Sequence, residues 1–129
     1  MALLEVDKPH GPLPFVLREV HDGSAQWEWE YTVDRAHFNP HGVLHGGVVM
    51  SLLDTAMGHL VSEAVVPQGR INTAAQFNIH FLLPIRDGTI RARASVVKIG
   101  KRTAVVEGRA LDETNAVLAI ATATHLLLP

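Results

Sequence analysis

The sequence predicts an α+β domain in which one long central helix is wrapped by a curled antiparallel sheet of about six strands. Three observations carry this reading. The apolar pattern has a period of two through most of the chain and switches to helical spacing once, from Gly46 to about Val65. The strand-like runs beyond that helix are separated by short turns, which favours antiparallel pairing in a meander or close to it. The lone helix is largely apolar and must be buried, and the concave face of a curled sheet is the obvious cover.

The elements follow in chain order. Residues 1–13 carry Pro9, Gly11 and Pro12 and read as irregular. A first strand is expected from about Phe15 to His21, followed by a turn at Asp22-Gly23-Ser24. In "AQWEWEYTV", Trp27, Trp29, Tyr31 and Val33 face one way, and Gln26, Glu28, Glu30 and Thr32 the other. That alternation is the mark of a half-buried strand, and the turn before it suggests a hairpin. In the helix, Val49, Leu52, Leu53, Ala56, Met57, Leu60 and Ala64 follow a 3.6-residue period, and Pro67 and Gly69 end it. The strand-like runs "AQFNIHFLL", "TIRARASVV", "TAVVEGRAL" and "VLAIATATHLL" complete the chain, broken by "PIRDG", "KIGKR" and "DETN".

Composition narrows the function. The 129 residues suit one domain, 1–129, with a real core, and 47% hydrophobic content excludes general disorder. A net charge of −2 gives no reason to expect nucleic-acid binding. With no cysteine there is no disulfide framework, no thiol nucleophile and no cysteine metal site. The first residues lack the basic-then-apolar pattern of a signal peptide, and no uncharged apolar run approaches a bilayer span. A cytoplasmic protein without membrane partners is therefore expected.

Chemistry concentrates in "HFNPHGVLHGG", His37 to Gly47, and in the helix behind it. Gly46 and Gly47 stand where the helix begins, preceded by Leu44 and His45 rather than by a Ser, Thr, Asp or Asn cap. The first helical amides are thus open donors, suited to an anion or a polarised carbonyl, and glycine allows close approach. The same pair also suits a plain sharp turn. Asp54 is one of only two acids between residues 35 and 86, in a helix apolar enough to be covered on most sides. An acid there needs partners, or a role. Gly47, Ser51, Asp54, Gly58 and Ser62 form a stripe of small and polar residues at steps of three or four. Gly46 and Asp54 lie about 12 Å apart along one helix. To reach one carbonyl together, they must come from two antiparallel helices, hence from a symmetric dimer with two shared sites. His37, His41 and His45 lack a carboxylate at ligand spacing, so no metal is expected.

"NPHGVLHGG" followed by an apolar helix with "SLLD" resembles the hotdog-fold acyl-CoA thioesterases of the phenylacetate-pathway (PaaI) type. The β-β-α-β-β-β-β order fits that fold over nearly the whole chain, and "FNIHFLLPIRDG" is similar to the strand after the family's helix. The resemblance implies hydrolysis of an acyl- or aryl-acyl-CoA thioester. Asp54 would be the nucleophile or the general base that activates water. The Gly46 amide, beside Gly47, would polarise the thioester carbonyl from the other subunit. Asn39 would orient water or the carboxylate, and His45 would shape the loop beside the thioester. Thr73, or else Asn72, would fill the family's hydroxyl position, and Lys101 and Arg102 could meet the CoA phosphates. No cofactor is implied beyond the CoA thioester as substrate. A homodimer with shared sites is implied, paired further into a dimer of dimers. Two rivals remain at this stage. One is a hotdog acyl-thioester dehydratase or hydratase, against which "HGG" and a helix Asp count. The other is a non-catalytic acyl-CoA-binding module. The acyl group itself is not legible.

Overall fold

A computed structural model describes the backbone of residues 4–8, 17–21 and 27–129, and side chains from residue 28 onward. The strands are β1 (Leu4–Lys8), β2 (Leu17–His21), β3 (Trp27–Thr32), β4 (Ile71–Phe81), β5 (Thr89–Ile99), β6 (Thr103–Leu111) and β7 (Val117–Leu128). The helix α1 spans Gly46–Val65. The seven strands form one antiparallel sheet in the order β1-β2-β3-β5-β6-β7-β4. This is the hotdog arrangement that the resemblance implied.

Two expectations change. The sheet has one strand more than expected, because Leu4–Lys8, within the supposedly irregular start, pairs with Leu17–His21. The last four strands are not a simple meander either. β5, β6 and β7 are, but β4 crosses to the far side of β7 and never pairs with β5. The connection between them is long enough to pass under the loop before the helix, where buried Ile85 offers its carbonyl to the Leu44 amide at 2.8 Å. The turn expected at Asp22–Ser24 lies outside the described residues, although β2 and β3 on either side pair antiparallel as a hairpin would.

The core lies between α1 and the concave face of the sheet. Val48, Val49, Leu52, Leu53, Ala56, Met57, Val61 and Val65 are the buried helix positions. They meet Trp29, Tyr31, Ile90, Ala92, Val106, Ala110, Ala119, Ala121 and Ala123. Small residues dominate the strands opposite the helix, which lets helix and sheet approach closely. Gly108 marks the tightest point: a Cβ there would stand 3.1 Å from Met57 Cγ and 3.3 Å from Leu53 Cδ2. Gly108→Val is expected to overpack this spot and lower unfolding free energy by about 1–3 kcal/mol, read from the midpoint of chemical denaturation.

By length and composition α1 with the turn after it, Gly46–Gln68, is apolar enough to cross a membrane. Its buried residues show instead that it is the core helix of this fold. On the outer face, Glu28 pairs with Arg93 (2.5 Å) and Glu30 with Arg91 (3.8 Å), across the β3–β5 register that sets these residues opposite one another.

Candidate active site

The loop before α1 is built by its own side chains. Asp34 Oδ1 accepts the Ala36 amide at 2.9 Å and starts the 3-10 turn Arg35–His37. The buried Tyr31 hydroxyl lies 2.5 Å from His37 Nδ1, and the Asp34 amide donates to that same hydroxyl at 3.2 Å. Burial raises the Tyr31 phenol above its ordinary range, and the nearby Asp34 charge adds to this. The phenol and the His37 ring thus share one short hydrogen bond at the mouth of the loop. The His37 carbonyl then accepts the His45 amide at 3.0 Å, so the tyrosine anchors the approach to the helix.

Asn39 organises the rest of the loop. Its Oδ1 accepts the His41 amide (2.9 Å) and the Val43 amide (3.4 Å), and its backbone amide donates to Val43 (2.8 Å). Gly42, at φ +78, closes the turn in a conformation that suits glycine. Asn39 is thus a loop-shaping residue through its oxygen, while its Nδ2 takes no part in those bonds.

His45 is the N-cap of α1 and is exposed, and its side chain caps nothing. The amides of Gly46 and Gly47 find no acceptor in the hydrogen bonds of the described residues. Two free amides at a helix start carry the positive end of its dipole. Gly47 is exposed, and a Cβ there would meet nothing within 4 Å, so this side stays open. Gly46 is tighter: a Cβ would stand 2.9 Å from Phe81 Cζ. The Phe81 ring, 50% exposed, therefore rests edge-on against the start of the helix.

Asp54 departs from expectation. It is exposed in the single chain, because the helix is covered on three sides and open on one. The open face runs through Gly47, Met50 and Asp54. Ser51, on its border, turns back on the helix and donates to the Gly47 carbonyl at 2.8 Å. β4 flanks this window. Phe81 packs beside Gly46, and at the other end Asn72 Nδ2 donates to the Gly58 carbonyl at 3.1 Å.

Of the two candidates for the family's hydroxyl position, the structure places Asn72 toward the helix. Thr73 is exposed and, by strand alternation, lies on the other side of β4, opposite Leu126. Asn72 Nδ2 also lies 3.0 Å from His125 Nδ1. His125 is only 2% exposed, and its Nε2 is buried without a hydrogen-bond partner. Burial lowers the His125 pKa below 6.5, opposed by the negative charge of Asp54. The sign follows directly. The unfolded chain binds this proton more readily, so the stability tied to neutral His125 is present above pH 6.5 and is lost as pH falls through the folded pKa. Melting temperature should decline on acidification below pH 6.5, and less so in His125→Gln, which has no titrating group.

Lys101 and Arg102 are exposed in the β5–β6 turn. They sit beside Arg70, whose guanidinium donates to the Lys101 carbonyl, while Arg102 accepts the Leu127 amide at 2.9 Å. This cationic corner lies just past the C-terminal end of α1, about 30 Å along the axis from the Gly46 of its own chain. Arg70, Phe81 and His125 were not placed at the site by sequence, and Asn72 was named only as the alternative to Thr73, without its histidine partner. The pair joins residues 53 apart, and only strand register shows it. A buried tyrosine six residues before a histidine was the one local hint of the Tyr31–His37 contact.

A concavity of about 770 Å³ lies elsewhere, on the outer face of the sheet among Asn78, His80, Arg93, Glu107 and Arg109. It is separated from Gly46 and Asp54 by the sheet itself. Chemistry at the helix must therefore use the open window rather than this groove.

Comparison with known proteins identifies the family. Residues 41–119, more than half of the chain, match the family described as the thioesterase superfamily. A 1,4-dihydroxy-2-naphthoyl-CoA hydrolase of Listeria monocytogenes is 32% identical over 105 residues, 81% of this chain and 83% of that protein. A Bacillus halodurans protein crystallised with CoA is 34% identical with a TM-score of 0.74, over 78% of this chain and 66% of the other. A phenylacetic acid degradation-related protein of Ralstonia eutropha is 28% identical with a TM-score of 0.72, over 90% and 92% of the two chains. The chain spans about half the length of curated relatives with provisional esterase names from Haemophilus influenzae and Pasteurella multocida. With the family match over most of the wrapped helix and sheet, the chain belongs to the thioesterase superfamily.

Proposed function

We propose that the protein hydrolyses an acyl- or aryl-acyl-CoA thioester to free acid and CoA, at two sites shared by the chains of a homodimer. The observation that carries this is the open helix face, which presents uncapped Gly46 and Gly47 amides at one end and Asp54 eight residues on. A CoA hydrolase and a CoA-bound structure among the similar proteins support the substrate class.

In this reading the thioester carbonyl oxygen accepts the Gly46 amide of one chain, and Asp54 of the other chain faces the carbonyl carbon. Asp54 either takes a proton from the attacking water or attacks the carbon itself, and the acyl-enzyme anhydride then hydrolyses. Either way the C–S bond breaks, the CoA thiolate leaves and takes up a proton, and one water is consumed. Charge gathers on the carbonyl oxygen in the transition state, where a fixed amide at a helix start is most effective. Asn39 orients the water or the carboxylate through Nδ2, and His45 borders the thioester. Lys101 and Arg102, joined by Arg70, offer a cationic corner for CoA phosphates. The dimers pair further into a dimer of dimers, and the protein works in the cytoplasm without a metal or other cofactor.

The direct test is release of free CoA thiol from a panel of acyl- and aryl-acyl-CoA thioesters, followed with a thiol reagent. Thiol release with at least one member is expected. Formation of enoyl-CoA absorbance from 3-hydroxyacyl-CoA, without thiol release, would instead establish a dehydratase.

A further inference from the structure

The register of β4 and β7 sets Asn72 opposite Leu127 and Ala74 opposite His125, so Asn72 and His125 are diagonal neighbours on one face. Both meet α1 at Gly58. That residue stands one turn beyond Asp54 on the same stripe, about 6 Å along the axis. The hydrogen bonds fix which way round the Asn72 amide lies. The Gly58 carbonyl only accepts, so the atom 3.1 Å from it is the amino group of Asn72. The second hydrogen of that group goes to His125 Nδ1 at 3.0 Å, which is therefore the bare ring nitrogen. The ring proton sits on Nε2, where it is buried without an acceptor and costs stability. Both Asn72 hydrogens are thus engaged. Its Oδ1 makes no hydrogen bond among the described residues and, unlike His125 Nε2, is not sealed from solvent. A helical side chain covers the turn before its own Cα, and Gly58 has none, so the turn between it and Asp54 stays bare.

We infer that His125 is a positioning residue of the hydrolytic site: by taking one hydrogen of the Asn72 amide, it turns the Asn72 oxygen to the bare turn beside Asp54, as the acceptor that orients the attacking water. The inference rests on the hydrolysis proposed above and adds to it a buried residue that touches neither substrate nor water. That reaction ends in attack by water whether Asp54 acts as base or as nucleophile. Asp54 takes one hydrogen of the water and Asn72 Oδ1 holds the other, which leaves an oxygen lone pair for the carbonyl carbon. The opposite orientation would put the amino group there. It would donate to that lone pair or to the Asp54 carboxylate, and so weaken nucleophile and base alike. A single bond to Gly58, whose carbonyl also serves the helix ladder, lets the amide pivot. The second bond, to His125, fixes its plane. Asp54 is near enough for its charge to act on His125, against the larger effect of burial.

Two variants should rank in opposite order for stability and for rate. His125→Leu fills the buried space with an apolar side chain and removes the orphaned Nε2, so above pH 6.5 it should melt no lower than wild type. It also deletes the acceptor. The kcat for CoA thiol release should then fall roughly 10–100-fold with KM little changed, the scale on which a misplaced group acts. His125→Asn carries an Oδ1 where the ring has Nδ1 but leaves a void, so it should melt lower and yet keep most of the turnover. A purely structural histidine would give the reverse, with rate following stability. In an Asn72→Ala background, His125→Leu should hardly lower kcat further, because the two residues act as one unit. A nitrogen NMR spectrum of ring-labelled protein needs no substrate and should show the proton on Nε2, with Nδ1 bare. A proton on Nδ1, an unchanged rate in His125→Leu, or losses that multiply in the double variant would each overturn the proposal. Wild-type protein that releases no CoA thiol would remove the thioesterase reading and this role with it. Active protein with an indifferent His125→Leu would remove the positioning role and leave that reading standing.

Discussion

Asp54→Asn is expected to reduce CoA thiol release by on the order of 10²–10⁴-fold, the range supplied by a positioned general base, with little change in melting temperature. The two halves of that expectation have separate origins. The rate falls because asparagine is nearly isosteric with aspartate but neither accepts a proton from water nor attacks a carbonyl. Stability hardly moves because Asp54 is exposed and makes no ion pair among the described residues. The charge nevertheless acts at a distance. Asp54 opposes the effect of burial on His125, so its neutralisation should let the His125 pKa fall further. An NMR titration of the His125 ring in Asp54→Asn would show the shift. Near-wild-type turnover in this variant would remove Asp54 from the chemistry.

Gly46→Pro is the complementary change. Proline deletes the amide at the first helical position, where its fixed φ is well tolerated and no hydrogen bond within the helix is lost. The preceding residue, His45, already has the extended ψ of 134 that proline favours before it. The Phe81 ring must swing away from the new Cβ, and its half-exposed position allows that. Loss of one oxyanion donor should lower kcat by about 10²–10³-fold. The two inactive variants then make a test that neither makes alone. In a mixed dimer of Gly46→Pro and Asp54→Asn chains, one site inherits both defects and the other inherits neither. An equal mixture after unfolding and refolding should regain roughly a quarter of wild-type activity, because half the dimers are mixed and each has one intact site. If amide and carboxylate instead served the same site within one chain, mixing would restore nothing.

The legible part of this protein was the part written locally. The switch from two-residue to helical spacing gave α1 its ends at Gly46 and Val65, because burial of one stripe imposes the period directly. The uncapped Gly46-Gly47 and the solitary Asp54 stood out because each breaks a rule of ordinary helices. What stayed illegible depends on pairing between distant segments. Nothing within "AQFNIHFLL" says that it joins "ATATHLL" rather than "TIRARASVV", since both neighbours offer the same alternation. Asn72 becomes a helix anchor only once β4 and β7 are in register, which also sets Ala74 opposite His125. Asp54 was expected under cover on sound grounds, yet it is exposed, because an apolar helix in sequence does not say which of its faces the sheet leaves open.

The outer edge of β4 has a consequence for the life of the chain itself. The strand is eleven residues long, with no proline, lysine, arginine or acid, and it ends in the exposed apolar residues Ile71 and Phe81. Charges, prolines and short length are the usual guards against indiscriminate strand addition, and all of them are missing here. In the proposed dimer a second copy covers this edge, so a newly made chain would stay sticky until it pairs, and cellular abundance should hinge on how fast that encounter happens. Dilution, slow synthesis or a weakened interface would each lengthen the interval in which aggregates can be seeded.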